Sequence, residues 1–315
     1  MREFIRRWTL AISMMAGASS YFILSWLPLG GGMRRWLLQG VGVVQPVLIF
    51  LMLFLTFCRV NPSQMRLCRW QMWNLLLQAG MFALLCLVLV FFPLTPLRPV
   101  IEGALLCFIC PTATAAVVVT SKLGGRAGTT TAYTLLINLG VAILVPLLVP
   151  LAHPQAGMGF AHAFSMILSK VFPLLLCPIV AAELLRRLSP SLTGRLASFR
   201  DLPFHLWAVA LALALAVTTR SLVTSHVSLA LAGGIALASL LACIIQFAVG
   251  RLAGRKYGDP ISGAQSCGQK NTVFAIWMGY TFLTPVTALA GGFYSIWHNV
   301  YNSWQLAQMR KRNCQ

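Results

Sequence analysis

The sequence predicts an all-α polytopic membrane protein with ten transmembrane helices, and three observations support this fold class. First, 58% of the 315 residues are hydrophobic and only 9% are charged, whereas a soluble domain has about 25% charged residues. Second, ten apolar stretches are each long enough to cross a bilayer as a helix. Third, basic residues crowd into alternate gaps between these stretches, as in a chain that crosses a membrane repeatedly.

The ten predicted spans follow one another along the chain with short gaps. They lie near 8–28, 38–57, 70–92, 99–121, 129–151, 163–185, 204–220, 227–249, 260–283 and 287–308. Of the 24 Lys and Arg residues, 18 fall at the termini and in the even-numbered gaps, and 4 fall in the odd-numbered gaps. Because basic loops stay in the cytoplasm, we predict a multi-pass protein of the inner (cytoplasmic) cell membrane with both termini in the cytoplasm. The net charge of +19 is then mainly a topology signal, and no nucleic acid partner is expected.

The first span has an alternative interpretation. Arg6 and Arg7 precede its apolar stretch, a pattern that also occurs in secretory and twin-arginine signals. However, the stretch is long, and no clean small-x-small cleavage site follows it. We therefore expect the first helix to be retained.

The number of spans indicates an internal repeat. Five spans precede the division near residue 155 and five follow it, so the halves of about 1–155 and 156–315 enter the membrane from opposite sides. Many secondary transporters are built from such inverted repeats. We predict a single transmembrane transporter domain over 1–315, made of two five-helix inverted repeats.

The fourth span of each half, which is span 4 or span 9, carries helix-breaking residues at its centre. In span 4, Pro111 removes a backbone donor and disfavours helix in the residue before it. In span 9, Gly263 and Gly268 loosen the helix around Ser266–Asn271. One proline kink would be ordinary in a membrane helix. Paired breaks in inverted halves instead indicate a transporter site, where the N-termini of the half-helices favour an anion.

Lys270 lies in the middle of span 9. At about 1.5 Å per residue it is roughly 15 Å from either end, too deep for its side chain to reach water. A charge at that depth costs at least about 2.5–3.5 kcal/mol and marks a functional site by default. All five acidic residues lie near predicted span ends or outside the spans: Glu3, Glu102, Glu183, Asp201 and Asp259. The sequence therefore predicts a membrane cavity with a fixed positive charge.

Other polar residues within the spans are candidates for the same site. Thr114 and Asn271 follow the two breaks, where they would bind an anionic head group or bond to their own helix backbone. The remaining candidates are Gln78 in span 3, Thr130, Thr134 and Asn138 in span 5, and His298, Asn299 and Asn302 in span 10. For these residues the alternative is a hydrogen bond that holds neighbouring helices together.

Catalytic motifs and metal-binding patterns do not stand out in the sequence. The chain has no H-E-x-x-H, G-x-S-x-G, P-loop or paired carboxylates, so we predict that it is not an enzyme. Its nine cysteines fall mostly in apolar stretches, where cysteine acts as a small buried hydrophobe. Cys107 and Cys110 form a lone C-x-x-C without a second pair, so a metalloid site at Cys110 is only an alternative. No cofactor and no metal site are expected.

Three short stretches in spans 4, 9 and 10 form a recognisable set. They are Cys110–Ala115 (CPTATA), Gly268–Asn271 (GQKN) and Ser295–Asn299 (SIWHN). Together they resemble the Cys-Pro-Gly-Gly-Thr-Ala, Gly-Met-Gln-Asn and Ser-x-Trp-His-Asn segments of the bile acid:sodium symporter family, especially its ten-span bacterial members. The resemblance implies a panel domain of spans 1, 2, 6 and 7 and a core domain of spans 3–5 and 8–10, with spans 4 and 9 crossing at their breaks. It also implies alternating-access transport of organic anions such as bile acids, pantoate and keto acids, usually with sodium.

The resemblance assigns the anion-binding positions well and the sodium sites poorly. Thr114 and Asn271 match the family's residues at the starts of its half-helices. With them, Thr112, Thr272, His298 and Asn299 are the predicted substrate-binding residues. Ala116 and Val117, however, occupy the places of a sodium-binding Ser-Asn pair.

The remaining sodium positions are also changed. Ser266 stands where the family has a glutamate, and Lys270 stands where it has a glutamine ligand. An ammonium group has only donors and repels a cation. Gln78, Thr130 and Thr134 match the family's other ligands. The predicted cation-site or coupling residues are therefore Lys270, Gln78, Thr130, Thr134, Ser266 and Gln269.

We therefore predict a secondary transporter of small carboxylate-type organic anions that works by alternating access, without sodium or linked to protons. Lys270 would take the electrostatic place of a sodium ion and bond to Gln78, Thr130 or Thr134. Burial favours the neutral form of an amine, so proton coupling through Lys270 stays open beside uniport and exchange. The alternatives are a sodium-coupled organic anion or bile acid symporter, a non-transporting membrane receptor or assembly protein, and metalloid efflux through Cys110. The expected partners are the anion and the lipid bilayer, with no obligate protein partner.

Overall fold

The computed structural model describes residues 2–28, 30–60, 65–154, 157–199, 202–224 and 227–313. Within these ranges the chain forms thirteen α-helices and no β-strand. Six stretches of helix are long and apolar enough to cross a membrane: Gln39–Arg59, Arg69–Phe91, Ala127–Ala152, Phe160–Leu188, His205–Thr224 and Leu229–Lys256. The predicted all-α class is thus confirmed, and the long apolar helices are those of a multi-pass membrane protein.

The helices coincide closely with the predicted spans. Their bounds are α1 Arg2–Trp26, α2 Gly31–Arg59, α3 Arg69–Phe91, α4 Arg98–Ile109, α5 Ala115–Lys122, α6 Ala127–Ala152, α7 Phe160–Leu188, α8 Pro190–Ser198, α9 Leu202–Thr224, α10 Leu229–Lys256, α11 Pro260–Gly268, α12 Thr272–Phe282 and α13 Leu289–Asn313. Predicted spans 4 and 9 each consist of two short helices, α4 with α5 and α11 with α12. The two predicted interruptions are therefore present.

One helix was not predicted. Part of the gap between predicted spans 6 and 7 forms α8. Pro190 occupies the start of this helix, where its missing N–H is not needed. Thr193 donates its hydroxyl hydrogen to the Ser189 carbonyl at 3.1 Å, and this carbonyl also accepts from the Thr193 N–H at 3.1 Å.

The helices pack in two groups. In one group, α1 packs against α9, and α2 packs against α7, α8 and α9. In the other group, α10 packs against α3, α4, α11 and α13, and α6 packs against α3, α5 and α11. The groups contact each other in two places. The consecutive helices α6 and α7 pack together, and both α12 and α13 touch α9. Helix α12 also touches α2.

Glycines hold α11 tightly against α10, just before the break in span 9. A Cβ atom on Gly263 of α11 would collide with the backbone carbonyl of Gly250 in α10, and a Cβ atom on Gly250 would approach the Gly263 carbonyl equally closely. Small residues allow membrane helices to approach at backbone distance. This contact fixes the path of α11 and therefore the position of the break at its end.

Candidate functional site

The two interrupted spans cross at their breaks. The chain between α4 and α5 and the chain between α11 and α12 run antiparallel to each other, and Thr112 and Lys270 form an isolated β-bridge there. The Ala113 N–H donates to the Gln269 carbonyl at 2.9 Å. Backbone that leaves a helix inside a membrane needs partners within the protein, and each break supplies partners to the other.

Lys270 closes the C-terminal end of α4. Its side chain is only 1% exposed, and its Nζ donates to the Phe108 carbonyl at 3.2 Å. The neighbouring Cys107 carbonyl accepts from Gln246 Nε2 of α10 at 3.1 Å. The last carbonyls of a helix have no partner within the helix, and the helix dipole makes this end partially negative. An ammonium group at this end therefore gains both a hydrogen bond and a favourable charge–dipole interaction.

The C-terminal end of α11 is closed in the same way. Its last three carbonyls each accept a hydrogen bond from a side chain of another segment. The donors are Thr112 Oγ1 to Ser266 O at 2.7 Å, Gln78 Nε2 to Cys267 O at 3.2 Å, and Tyr294 Oη to Gly268 O at 2.8 Å. The Cys107 and Phe108 carbonyls of α4 and the last three carbonyls of α11 therefore already have side-chain donors from the protein.

The prediction that Lys270 bonds to Gln78, Thr130 or Thr134 is wrong. Gln78 donates to α11 instead, the Thr134 hydroxyl bonds to the Thr130 carbonyl at 3.0 Å, and the Thr130 hydroxyl bonds to Thr120 at 3.3 Å. The reason is the crossing itself. Because the backbone of Lys270 pairs with the first break, its side chain reaches the C-terminal end of α4. This end is partially negative, so it is a better partner for an ammonium group than an amide or a hydroxyl group is.

The N-terminal ends of α5 and α12 carry fewer side-chain partners. Asn271 caps α12, because its Oδ1 accepts from the Phe274 N–H at 3.2 Å. This bond occupies the oxygen of Asn271 but not its amide nitrogen. Thr114 precedes α5, is half-buried, and makes no capping hydrogen bond with its side chain. The positive dipole ends of the two half-helices at these positions favour an anion.

The remaining predicted residues are distributed unevenly. Thr272, Ser266 and Gln269 are buried at the crossing, as predicted from their place in the breaks. His298 is buried one helix away, with its ring 5.6 Å from that of Tyr294. The side chain of Asn299 donates to the Ser295 carbonyl of its own helix at 2.7 Å. This hydrogen bond therefore does not connect Asn299 to the crossing.

Two residues at the crossing were not predicted. Tyr294 and Gln246 support the ends of α11 and α4, and Gln246 Nε2 also approaches Tyr294 Oη at 3.2 Å. Both residues lie on helices far from the breaks in sequence, so no local pattern marks them. The one available signal was that Gln246 is a polar residue within predicted span 8, three residues before the end of that span.

A buried carboxylate at the other end of α4 was also missed. Glu102 is 1% exposed, and its Oε1 accepts from Arg98 Nε at 2.9 Å and contacts His153 Nδ1 at 2.8 Å. Its Oε2 accepts from the Thr287 hydroxyl at 2.8 Å. The prediction placed Glu102 correctly near the end of a span. The spacing of Arg98 and Glu102, four residues apart on one helix, was the signal for the ion pair.

Comparison with models of known protein families matches none of them, and no curated protein matches the chain either. The site is therefore interpreted from its own geometry.

Proposed function

We propose that the protein is a secondary transporter of small carboxylate-type organic anions that works by alternating access and does not use sodium. The proposal includes ten membrane spans in two inverted repeats of five, with both termini in the cytoplasm. It also includes the similarity to the bile acid:sodium symporter family suggested by the three sequence stretches in spans 4, 9 and 10.

The observation that carries the proposal is the crossing of two interrupted spans with Lys270 buried in it. Two half-helices end there and two begin, and the second break bonds to the first through backbone groups. In transporters built from inverted repeats, the substrate and coupling-ion sites are formed by discontinuous helices of this kind. A fold that needed only to span the membrane would have no use for a lysine at this position.

The two groups of helices support a moving-domain mechanism. The group formed by α1, α2, α7 and α9 corresponds to predicted spans 1, 2, 6 and 7, and the half-helices α4, α5 and α11 of the crossing lie in the other group. The α12 half-helix belongs to the crossing and touches both α2 and α9. A ligand bound at the crossing would therefore lie next to the boundary along which the two groups would move.

The donors at the half-helix ends support the proposal that transport does not need sodium. A sodium ion prefers oxygen ligands, and the carbonyls that would face it already accept hydrogen bonds from Lys270, Thr112 and Gln78. A cation about 4 Å from the ammonium would also be repelled by about 4 kcal/mol at an effective dielectric constant of 20. The same charge attracts an anion, so Lys270 supports binding of the substrate.

The test is uptake into proteoliposomes. A thermal-shift screen with cholate, pantoate, 2-keto acids and other small carboxylates first selects a compound that stabilises the purified protein. Uptake of that compound is then measured with sodium replaced by N-methyl-D-glucamine. We expect equal uptake in the two solutions. Saturable dependence on sodium would support the sodium-coupled alternative, and stable binding without uptake under any ion gradient would support a receptor.

A further inference from the structure

A row of buried polar side chains connects α11 with α13. Gln265 Nε2 donates to Asn302 Oδ1 at 3.0 Å and to Gln305 Oε1 at 2.8 Å. Gln269 lies one turn beyond Gln265, because its N–H bonds to the Gln265 carbonyl at 3.0 Å. Ser295, His298 and Asn302 share one face of α13 at helical spacing. We call Gln265, Gln269, Ser295, His298 and Asn302 the polar seam.

Each member of the polar seam has a polar atom without a hydrogen-bond partner in the protein. The atoms are Gln265 Oε1, Gln269 Oε1, Ser295 Oγ, His298 Nδ1 and Asn302 Nδ2. None of these side chains is more than 5% exposed. Buried polar groups in folded proteins nearly always have a partner, either protein or ordered water. Five such groups, two of which are joined by the hydrogen bond between Gln265 and Asn302, therefore indicate a shared ligand.

Water fits these groups better than an ion does. A cation would meet amide and hydroxyl oxygens but no carboxylate, which is a poor set of ligands for a metal ion. An anion would need donors, whereas both glutamines present their oxygens. Water both donates and accepts hydrogen bonds and typically makes about three of them in buried sites. It therefore satisfies amide oxygens, hydroxyls and the Asn302 amide nitrogen together.

The polar seam extends from the crossing towards the C-terminal part of α13. At the crossing it begins at Gln269, next to Lys270, and at His298, whose ring is 5.6 Å from Tyr294. Tyr294 in turn bonds to the last carbonyl of α11. At the other end Gln305 is half-buried and bonds to Gln265. The proposed topology places that end at the cytoplasmic face.

We propose that the polar seam holds a chain of water molecules that conducts protons between the cytoplasm and Lys270. The chain of water rests on the geometry alone, and its role in transport rests on the proposed function. In the transfer, a water molecule accepts the proton of Lys270 Nζ and the proton moves along the chain by exchange of O–H bonds. One proton crosses, and no other bond changes.

The ionisable groups around the inner end of the polar seam suit this role. Tyr294 and His298 belong to α13. Tyr294 faces Cys243 of α10, Cys107 of α4 and Cys267 of α11, and Lys270 faces the same three cysteines and Cys110. Three carboxylates have partners elsewhere: Glu102 with Arg98, Glu183 with Arg186 and Arg187, and Asp259 with Thr129. Among these groups, Lys270 and His298 are the nitrogen bases available to a proton that arrives along the water chain.

The first test detects the water directly. The purified protein in nanodiscs is exposed to hydroxyl radicals generated by X-rays, and modified side chains are identified by mass spectrometry. We expect modification of Tyr294, which is 1% exposed, and none of Met278, which is 0% exposed in an apolar part of the core and is intrinsically more reactive. An unmodified Tyr294 would overturn the proposal. This result does not depend on transport, so it stands even if the proposed function fails.

The second test measures proton movement. Asn302→Leu and Gln265→Met keep the side-chain volume of the polar seam but remove its polar atoms. In proteoliposomes that contain a pH-sensitive dye, we expect both variants to lower anion-dependent proton movement at least tenfold while thermal-shift binding of the anion is retained. Gln45→Met is the matched control, because Gln45 is also buried with an unpartnered amide nitrogen but lies on α2.

The outcomes of the second test distinguish the proton role of the polar seam from the proposed transport function. Unchanged proton movement in both seam variants would contradict the proton role. Anion uptake without any proton movement in the unmodified protein would also contradict it, although the proposed transport function would stand. If Asn302→Leu does not fold, Gln265→Met alone decides the outcome, since it changes the other helix.

Discussion

The two kinds of helix end at the crossing differ in how their backbone groups are satisfied. At the C-terminal ends of α4 and α11, side chains from distant helices donate to the carbonyls, and Lys270 adds a full charge. At the N-terminal ends of α5 and α12, Asn271 caps its own helix and Thr114 makes no capping bond. Because C-terminal ends attract cations and N-terminal ends attract anions, the protein's own donors occupy one class of site and leave the other more accessible.

The largest effect should come from removing the charge that distinguishes the two ends. Lys270→Met keeps the apolar stem but leaves the Phe108 carbonyl without its donor and takes away the attraction for an anion. We expect anion uptake to fall by tenfold or more, which corresponds to about 1.4 kcal/mol or more. The measurement is initial uptake in proteoliposomes at equal protein content.

Two further variants separate the charge of Lys270 from its hydrogen bond. Lys270→Arg keeps the charge and is expected to retain more uptake than Lys270→Met. Lys270→Gln keeps a donor without charge and is expected to lose uptake. If Lys270→Gln transports normally with an unchanged dependence on pH, the role assigned to the charge is wrong.

The second effect concerns the position of the C-terminal end of α11. Gly263→Ala adds a methyl group where α10 and α11 touch through their backbones, and overpacking of this kind costs about 1–3 kcal/mol. We expect a lower melting temperature in detergent. The matched control is Gly233→Ala in α10, where an added methyl group has nothing within 4 Å and the gain in helix propensity is favourable. Equal melting temperatures for the two variants would mean that the close contact does not position α11.

The breaks were predictable from sequence because their signals are local. Pro111 cannot continue a helix, and the glycines near Ser266 weaken one, so the interruption appears in the sequence at the place where it occurs. The resemblance to the bile acid:sodium symporter family supplied the expectation that the two breaks cross. The described structure shows them joined by backbone hydrogen bonds.

The donors that close the C-terminal ends were not predictable in the same way. Tyr294 reaches Gly268 from α13 and Gln246 reaches Cys107 from α10, and each contact depends on the direction of a side chain on a helix distant in sequence. Gln78 was identified, but its partner was assigned incorrectly, because a sequence pattern shows that a polar group is buried and not which group it faces. The partner of Lys270 was missed for the same reason.

The third effect tests a single donor at a C-terminal end. Thr112→Val keeps the shape of the side chain but removes the hydroxyl that bonds to the Ser266 carbonyl at 2.7 Å. A buried carbonyl left without a donor costs about 1–3 kcal/mol. We expect destabilisation towards the lower part of that range, measured by thermal unfolding. Thr112→Ser, which keeps the hydroxyl, should recover most of the loss. No recovery would show that the methyl group and not the hydrogen bond matters.

The smallest effect on stability should appear at the N-terminal ends of α5 and α12. Two variants there distinguish the capping of a helix from the binding of a ligand. Asn271→Ala removes a capping bond and should cost about 1 kcal/mol. Thr114→Val removes a hydroxyl that makes no capping bond, so its effect on unfolding should stay within about 0.5 kcal/mol. We nevertheless expect Thr114→Val to weaken anion binding, measured as a smaller thermal shift at the same anion concentration. A variant that is as stable as the unmodified protein but binds less anion would show that the N-terminal end of α5 is a ligand site. Unchanged binding in a stable Thr114→Val variant would remove Thr114 from that site and leave Lys270 as the main attraction for the anion.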